Sequence, residues 1–352
     1  MNAQKYIMID GVDGGGQMLR TSLALSMITG KPFKMVNIRT ARPNPGLQPQ
    51  HLEAVNAAQQ ICDAKVEGAA QRSLEITFAP GEIKSGSYEF RIKSAGSASL
   101  LFHAVYLPLA MQQSPSELLF QGGTHVSWSP TFDYINECWV WFMNKMGLKI
   151  QVSMEKAGFY PHGGGLIKAI IHPLEKIVPI KLLERGKLVN LKIYSAHTNL
   201  RDEVAKRQAE AAQRILISYV NSYENMSVQC GSLSSLSRNT TIAISAVFEQ
   251  TVCCFTGLGE KGKLAEQVAA EACNKFISFL DSGATADEFM SDQLLLPLVQ
   301  CSELSEFTCN RYTSHAKSNL ETIRKFLDIT CQVKQLAPHR YEFEVGAGRR
   351  VQ

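Results

Sequence analysis

Hydrophobic and polar positions in the first eighty residues alternate between two periods. Apolar residues recur three and four positions apart over residues 17–28 and 51–62, which is the period of an amphipathic helix. Short runs rich in β-branched and other apolar residues occur at 6–9, 33–38 and 74–78. The pattern predicts strands that alternate with helices. The five elements fit a unit of the order β-α-β-α-β-β, of which they supply all but one strand.

The same order recurs twice more along the chain. The second occurrence comprises a strand at 88–92, helices at 97–110 and 130–146, and strands at 117–121, 148–153 and 166–171. The third comprises helices at 286–298 and 316–327 and strands at 306–308, 329–333 and 341–345. Recurrence of one pattern at this spacing predicts three copies of one structural unit.

A segment with a different pattern interrupts the third occurrence. It predicts strands at 189–194, 226–229, 240–248 and 251–256, with long helices at 201–219 and 263–280. The predicted fold class is therefore α+β: a large domain of three repeated β-α-β-α-β-β units, residues 1–182 and 283–352, with a smaller inserted α/β domain, residues 183–282.

Composition adds that the chain is globular and mildly basic. Hydrophobic residues make up 45% and charged residues 19% of 352 positions, far from disordered or collagenous compositions, and the net charge of +4 is too small to identify a partner. Nine cysteines lie without a CxxC pair, which favours reduced thiols and a cytoplasmic location. We expect neither a signal peptide nor a membrane span, because the most apolar window, 99–111, is shorter than the ~20 residues that cross a bilayer.

A glycine-rich loop precedes the first predicted helix. Residues 13–17 read Asp-Gly-Gly-Gly-Gln, and Arg20 follows one turn later. Backbone N–H groups at such a helix start can bind a phosphate, and glycines allow a ligand to approach closely. A plain turn is the alternative, since neither GxGxxG nor the P-loop pattern is present. A second triplet, at 163–165, is open to the same two interpretations.

Two polar segments carry further candidate side chains. Arg39 and Arg42 precede a loop rich in proline and glycine that leads to Gln50 and His51, and arginine forks suit phosphate oxygens. His315 lies among hydroxyl and basic side chains at a strand-to-helix junction, where an imidazole could act as a nucleophile. Solvated loop charges and a structural histidine are the alternatives. HExxH, CxxC and GxSxG motifs are absent from the sequence, which disfavours zinc and serine-hydrolase sites.

Taken in order, these motifs resemble those of the RNA 3′-terminal phosphate cyclase family over nearly the whole chain. The matching stretches are residues 9–11, 14–20, Arg39 and Arg42, 45–47, 50–52, 94–97, 122–124, 158–161, 292–294 and His315. The resemblance implies a domain of three repeated α+β units with a smaller inserted domain. It also implies ATP as co-substrate, a divalent cation (Mg²⁺ or Mn²⁺) and RNA 3′-phosphate ends as partner, and leaves the oligomeric state open, a homodimer included.

The resemblance assigns a role to each matched position. His315 would be adenylylated by ATP, AMP would pass to the RNA 3′-phosphate, and the adjacent 2′-hydroxyl would close a 2′,3′-cyclic phosphate and release AMP. Arg39 and Arg42 would hold RNA phosphate, and Asp13 would contact the metal. The nucleotide contacts would come from Asp13, Arg20, Gln50, His103, Phe289, Met290, Ser291, Asp292 and Gln293.

Two positions depart from the family pattern. Asp13 stands in a shortened loop where the family usually has glutamate, and His103 stands where glutamine is expected. A catalytically silent ribosome-biogenesis factor is the main alternative function, although that branch lacks the histidine that is present here as His315. A metabolic transferase on a similar scaffold is a third hypothesis, which rests on fold analogy alone.

Overall fold

The computed structural model describes residues 5–12, 14–92, 94–220 and 226–348. Its strands are β1 Ile7–Asp10, β2 Phe33–Val36, β3 Lys65–Glu67, β4 Ile76–Ala79, β5 Ser87–Arg91, β6 Ser116–Gly122, β7 Ile150–Lys156, β8 Gly165–Ile171, β9 Lys181–Leu182, β10 Leu188–Thr198, β11 Met226–Ser232, β12 Asn239–Phe248, β13 Val252–Leu258, β14 Ser305–Cys309, β15 Ile329–Ala337 and β16 Arg340–Ala347.

The helices follow the same alternation. They are α1 Gly16–Thr29, α2 Pro49–Cys62, α3 Ala98–Ala110, α4 Phe132–Tyr134, a π-helical turn at Ile135–Trp139, α5 Val140–Lys145, α6 Asp202–Val220, α7 Ala265–Ser282, α8 Met290–Leu298 and α9 Ser314–Phe326. Helices and strands are mixed along the chain, so the architecture is α+β, as predicted. None of the helices in the described residues is long and apolar enough to cross a membrane.

Three of the four-stranded sheets share one strand order. In chain order of their own strands each reads first, second, fourth, third: β1-β2-β4-β3, β5-β6-β8-β7 and β9-β14-β16-β15. The first two strands of each sheet are parallel and the remaining neighbours are antiparallel. The fourth sheet, β11-β10-β12-β13, has a different order. Copies of one unit would produce the shared order, and the repeat itself stays a prediction.

Local sequence signals fix the helix ends that matter for the site. Helix α2 begins at Pro49, with His51 accepting a hydrogen bond from the backbone N–H of Gln48. Helix α9 begins at Ser314 because the hydroxyl of Thr313 accepts from the N–H of Ala316. His315 therefore lies in the first turn of α9.

The structure corrects several sequence-based elements. Helix α8 begins at Met290 rather than at 286, because the carboxyl group of Asp287 accepts hydrogen bonds from the N–H groups of Phe289 and Met290 and forms a turn there. The two short strands β3 and β9 were not predicted, since three and two residues are too few to show a period. Strand β10 extends to Thr198, four residues beyond the predicted end.

Buried apolar side chains form two clusters. One contains residues from all three similar sheets and their helices, with Trp139, Phe102 and Phe307 among its largest members. The other lies within residues 191–284 and packs α6 and α7 against the fourth sheet, around Phe276 and Phe279. The domain boundaries at 182/183 and 282/283 stay a prediction.

Candidate active site

A cavity of about 1060 Å³ lies between the helices that carry the predicted site residues and one face of the 183–282 segment. Its lining includes Gln17, Arg20, His103, Asp292 and His315. These residues belong to α1, α3, α8 and α9, so the fold brings together positions almost 300 residues apart. Such a volume accommodates a nucleotide with room for a second ligand.

His315, Gln17 and Asp292 form a chain of hydrogen bonds at the cavity. The side-chain nitrogen of Gln17 donates to Oδ2 of Asp292 over 2.7 Å, which turns the amide oxygen toward His315. That oxygen lies 2.5 Å from Nδ1 of His315 and can only accept, so Nδ1 carries the proton. The other ring nitrogen, Nε2, is left with its lone pair in the neutral imidazole.

Two neutral side chains fix the carboxyl end of this chain. Asn319 donates to the backbone carbonyl of Asp292 over 2.8 Å, and the hydroxyl of Thr21 donates to the amide oxygen of Asn319 over 2.7 Å. Burial raises the pKa of Asp292 to about 7, and the hydrogen bond from Gln17 and the charge of Arg20 act in the opposite direction. Helices α1, α8 and α9 are thereby tied together around the imidazole.

Arginine side chains surround His315 with positive charge. Burial lowers the pKa of Arg20 to about 10, while Asp292 raises it, so Arg20 stays charged at neutral pH. The pKa of His315 is lowered from 6.5 by burial and by the charges of Arg20 and Arg42. The pKa of Arg39 is lowered by burial and by Arg42, which places these two guanidinium groups near each other. The site therefore favours an anion and keeps the imidazole neutral.

His51 adds a buried donor beside Arg20. Its Nδ1 accepts from the backbone N–H of Gln48 over 3.0 Å, so the proton of the neutral ring is on Nε2. Nε2 is buried without a hydrogen-bond partner among the described residues, and the side chain is 3% exposed. Burial, Arg20 and Arg39 lower the pKa of His51 to about 3. An oxyanion placed there would satisfy this donor.

Gly16 explains why this corner needs a glycine. A Cβ atom at Gly16 would lie 2.5 Å from Nε2 of His51 and 3.0 Å from a guanidinium nitrogen of Arg20. A larger residue at position 16 would therefore collide with His51, and glycine lets the start of α1, where N–H groups have no partner within the helix, lie against His51 and Arg20. The second triplet differs: Gly163 and Gly164 have φ values of 62° and 69°, which glycine adopts readily, and neither lines the cavity.

The far end of the cavity is aromatic. His103 stacks on Trp139 with ring centroids 5.1 Å apart, and Tyr106 contacts the same indole edge-on at 4.9 Å. Burial and the charge of Arg20 lower the pKa of His103 to about 3, and its Nε2 has no partner among the described residues. Phe289, 49% exposed, lies on the cavity lining with Gln293, whose amide donates to the carbonyl of Phe289.

Not every predicted contact lines the cavity. Met290 and Ser291, the first two residues of α8, are fully buried, and Gln50, Arg39 and Arg42 lie outside the lining. Asp13, the predicted metal contact, is outside the described residues, and within those residues no group of three or more His, Cys, Asp or Glu side chains could hold a metal ion. Sequence reasoning assigned no role to Gln17, His51 or Asn319. Their contacts join different helices, and the spacing of residues along the chain does not predict such contacts.

Known proteins of one family are similar to this chain over nearly its whole length. A family model described as RNA 3′-terminal phosphate cyclase matches residues 12–333. Proteins named RNA 3′-terminal phosphate cyclase from Saccharolobus solfataricus and Koribacter versatilis are 39% and 38% identical over 96% and 94% of this chain, and over 99% and 92% of their own lengths. Among solved structures, the enolpyruvyl transferase NikO from Streptomyces tendae aligns with 97% of this chain and 48% of its own. The TM-score of 0.40 and the identity of 8% are too low to indicate a shared fold or function. The chain belongs to the RNA 3′-terminal phosphate cyclase family.

Proposed function

We propose that this protein uses ATP to convert an RNA 3′-phosphate end into a 2′,3′-cyclic phosphate, through a covalent intermediate on His315. The observation that carries the proposal is the hydrogen bond from Nδ1 of His315 to Gln17, because it leaves Nε2 unprotonated near the positive charges of Arg20 and Arg42. A neutral imidazole nitrogen is a competent nucleophile near pH 7.

The reaction proceeds in three transfers. Nε2 of His315 attacks the α-phosphorus of ATP, a P–N bond forms, and pyrophosphate leaves. An oxygen of the RNA 3′-phosphate then attacks the same phosphorus, which breaks the P–N bond and returns the imidazole. Finally the 2′-hydroxyl attacks the 3′-phosphorus, loses its proton, and displaces AMP. Each step exchanges one bond at phosphorus, so catalysis depends mainly on position and charge neutralisation.

Several groups of this chain suit those tasks. Arg20, Nε2 of His51 and the start of α1 converge on one corner, where they would bind phosphate oxygens of ATP. Arg39 and Arg42 would hold the RNA phosphate, and Phe289, Asp292 and Gln293 would contact the adenosine. A divalent cation, Mg²⁺ or Mn²⁺, would neutralise charge on the triphosphate with Asp13 as its protein ligand.

Two wider assignments belong to the same proposal. All nine cysteines are free thiols in the structure, which supports a reducing compartment such as the cytoplasm. The hydrogen-bonded His315 supports catalysis over the alternative of a silent ribosome-biogenesis factor, for which an oriented nucleophile has no use.

Self-labelling by ATP tests the proposal directly. Protein incubated with ATP radiolabelled at the α-phosphate and Mg²⁺ or Mn²⁺ should acquire a label that acid removes and alkali does not, and RNA ending in a 3′-phosphate should discharge it. RNA ending in a 3′-hydroxyl is the matched substrate control, and His315→Asn is the matched protein control. Absence of label on the wild type, or equal label on His315→Asn, would contradict the proposal.

A further inference from the structure

One fully exposed indole stands at the edge of the cavity. Trp128 is 99% exposed, the highest value among the large hydrophobic side chains of the described residues, and it contributes to the cavity lining. Its backbone has a φ of 65°, in the left-handed region that a bulky residue rarely adopts. The chain therefore keeps a large apolar side chain in solvent at a position where its backbone geometry favours glycine.

The loop that carries Trp128 is anchored on both sides. His125 is buried, stacks on Phe159 with centroids 5.1 Å apart and contacts Asp133 over 2.9 Å. The hydroxyl of Ser129 donates to the carbonyl of Val126 over 3.0 Å, which closes the turn around Trp128. The exposure of the indole is consequently a property of an ordered loop, and none of these contacts uses the ring itself. Backbone strain held in this way often accompanies a ligand-binding role.

We propose that Trp128 is a stacking platform for an unpaired base near the 3′ end of the RNA substrate; this assignment rests on the proposed function. A base that enters a pocket is covered on both faces, whereas Trp128 stands apart from the buried aromatic cluster around Trp139 and Tyr106. An indole that is 99% exposed leaves its ring faces open to solvent, which suits an unpaired base in a nucleotide chain that runs from the cavity into solvent.

A basic side chain on the cavity lining supports an RNA chain that runs from the cavity past Trp128 into solvent. Lys275 lines the cavity from α7, and its ammonium donates to the neutral carbonyl of Thr256 over 3.3 Å. Lys263 on the same lining is paired with Glu271, whereas the charge of Lys275 is available to a phosphodiester group of an RNA that enters the cavity. A protein partner that covered Trp128 would have no reason to use the lining of a cavity that also contains His315.

Stability and RNA affinity should respond to Trp128→Gly in opposite ways. Glycine suits the left-handed backbone, so the melting temperature should stay the same or rise. Loss of one stacked base should weaken binding of a single-stranded oligoribonucleotide ending in a 3′-phosphate by about 5- to 150-fold. Trp128→Phe should retain most of the affinity. Tyr219→Ala, which removes an exposed aromatic ring outside the cavity lining, is the matched control and should bind as the wild type does.

Abasic RNA identifies the group that stacks. Three oligonucleotides would each have a single abasic residue, at one of the last three positions. One of them should bind the wild type as weakly as intact RNA binds Trp128→Gly. The same oligonucleotide should bind Trp128→Gly no more weakly than intact RNA does. Intact RNA should also quench tryptophan emission in the wild type but not in Trp128→Phe, because Trp139 is fully buried and Trp141, the third tryptophan, lies outside the cavity lining. Equal affinity of Trp128→Gly and wild type, or a loss that every abasic RNA shares, would overturn the platform.

The remaining outcomes separate the alternatives. If Trp128→Gly labelled itself with ATP less well in the absence of RNA, by the same factor as its loss of RNA affinity, the indole would be assigned to the adenine of ATP. If its oligomeric state changed while its RNA affinity did not, the indole would be assigned to a protein contact. Both overturn the proposal. Trp128-dependent quenching by RNA in a protein that never labels with ATP would support the platform while refuting the proposed activity.

Discussion

The amide of Gln17 determines which nitrogen of His315 carries the proton, and under the proposed function this contact gives a sharp prediction. In Gln17→Glu a carboxylate would replace the amide that accepts from Nδ1 of His315 and donates to Asp292. Two unit charges 4 Å apart interact by about 4 kcal/mol at an effective dielectric constant of about 20, or about three pKa units. Because His315 is partly exposed, we expect its pKa to rise by about 1–3 units.

The pH dependence of self-labelling reports this shift. The pKa of His315 in the wild type is below 6.5, so the imidazole is neutral at pH 7 and the rate of adenylylation falls only as the pH drops through that lower value. In Gln17→Glu the half-maximal rate should move up by the same ~1–3 pH units, because the neutral imidazole then forms only at higher pH.

Gln17→Met separates charge from orientation. Methionine has a similar length but neither accepts from Nδ1 nor donates to Asp292, so no nitrogen of His315 is selected. Loss of one neutral hydrogen bond, about 1 kcal/mol, predicts a rate about fivefold lower at every pH with an unchanged midpoint. Single-turnover labelling between pH 5 and 9, with thermal unfolding as the folding control, measures both variants. An unshifted midpoint in Gln17→Glu, or a wild-type rate in Gln17→Met, would refute the reasoning.

Two further predictions concern the buried histidines. His51→Asn retains an oxygen that can accept from Gln48 but loses the Nε2 donor, and should weaken inorganic pyrophosphate binding by about 10- to 150-fold in calorimetry at unchanged stability. His51→Gln retains a donor but disturbs the hydrogen bond with Gln48 at the start of α2. It should bind pyrophosphate within about threefold of the wild type, and its free energy of unfolding should be about 1 kcal/mol lower. Equal behaviour of the two variants would argue against the Nε2 donor. For His103, whose pKa falls from 6.5 in the unfolded chain to about 3 in the fold, the unfolded state takes up the proton first, so stability is lost as the pH falls below 6.5. His103→Gln removes this loss, and denaturant titrations between pH 6 and 4 should show its stability rising relative to the wild type by about 1.4 kcal/mol per pH unit; a constant difference would contradict the assignment.

The sequence predicted most of the regular structure because each long element carries its own period. Helices α1, α2 and α9 begin and end within two residues of their predicted limits. Strands β3 and β9 were missed because they are stabilised by pairing with β4 and β14 rather than by a pattern of their own. The start of α8 was placed too early because the turn that Asp287 forms with the N–H groups of Phe289 and Met290 leaves no mark on the apolar period.

The candidate site was predictable in its residue types but not in its connections. The motifs pointed to His315, Arg20 and Asp292, and the structure brings all three to one cavity. The hydrogen bonds through Gln17, the free Nε2 of His51 and the left-handed backbone of Trp128 depend on how helices and loops approach one another. A single sequence contains no signal for such distances, which arise only once the chain has packed.

The contact between Gln17 and His315 also sets when a newly made chain can become active. The two residues are 298 positions apart, so a ribosome translating at about 5–20 residues per second takes about 15–60 s to make the second after the first. Throughout that interval the amino-terminal segment that carries Gly16 and Arg20 can fold, but the histidine of the proposed reaction is still missing. Under the proposed function, ATP would be consumed only after helix α9 has emerged, so an unfinished chain that lacks His315 should not label.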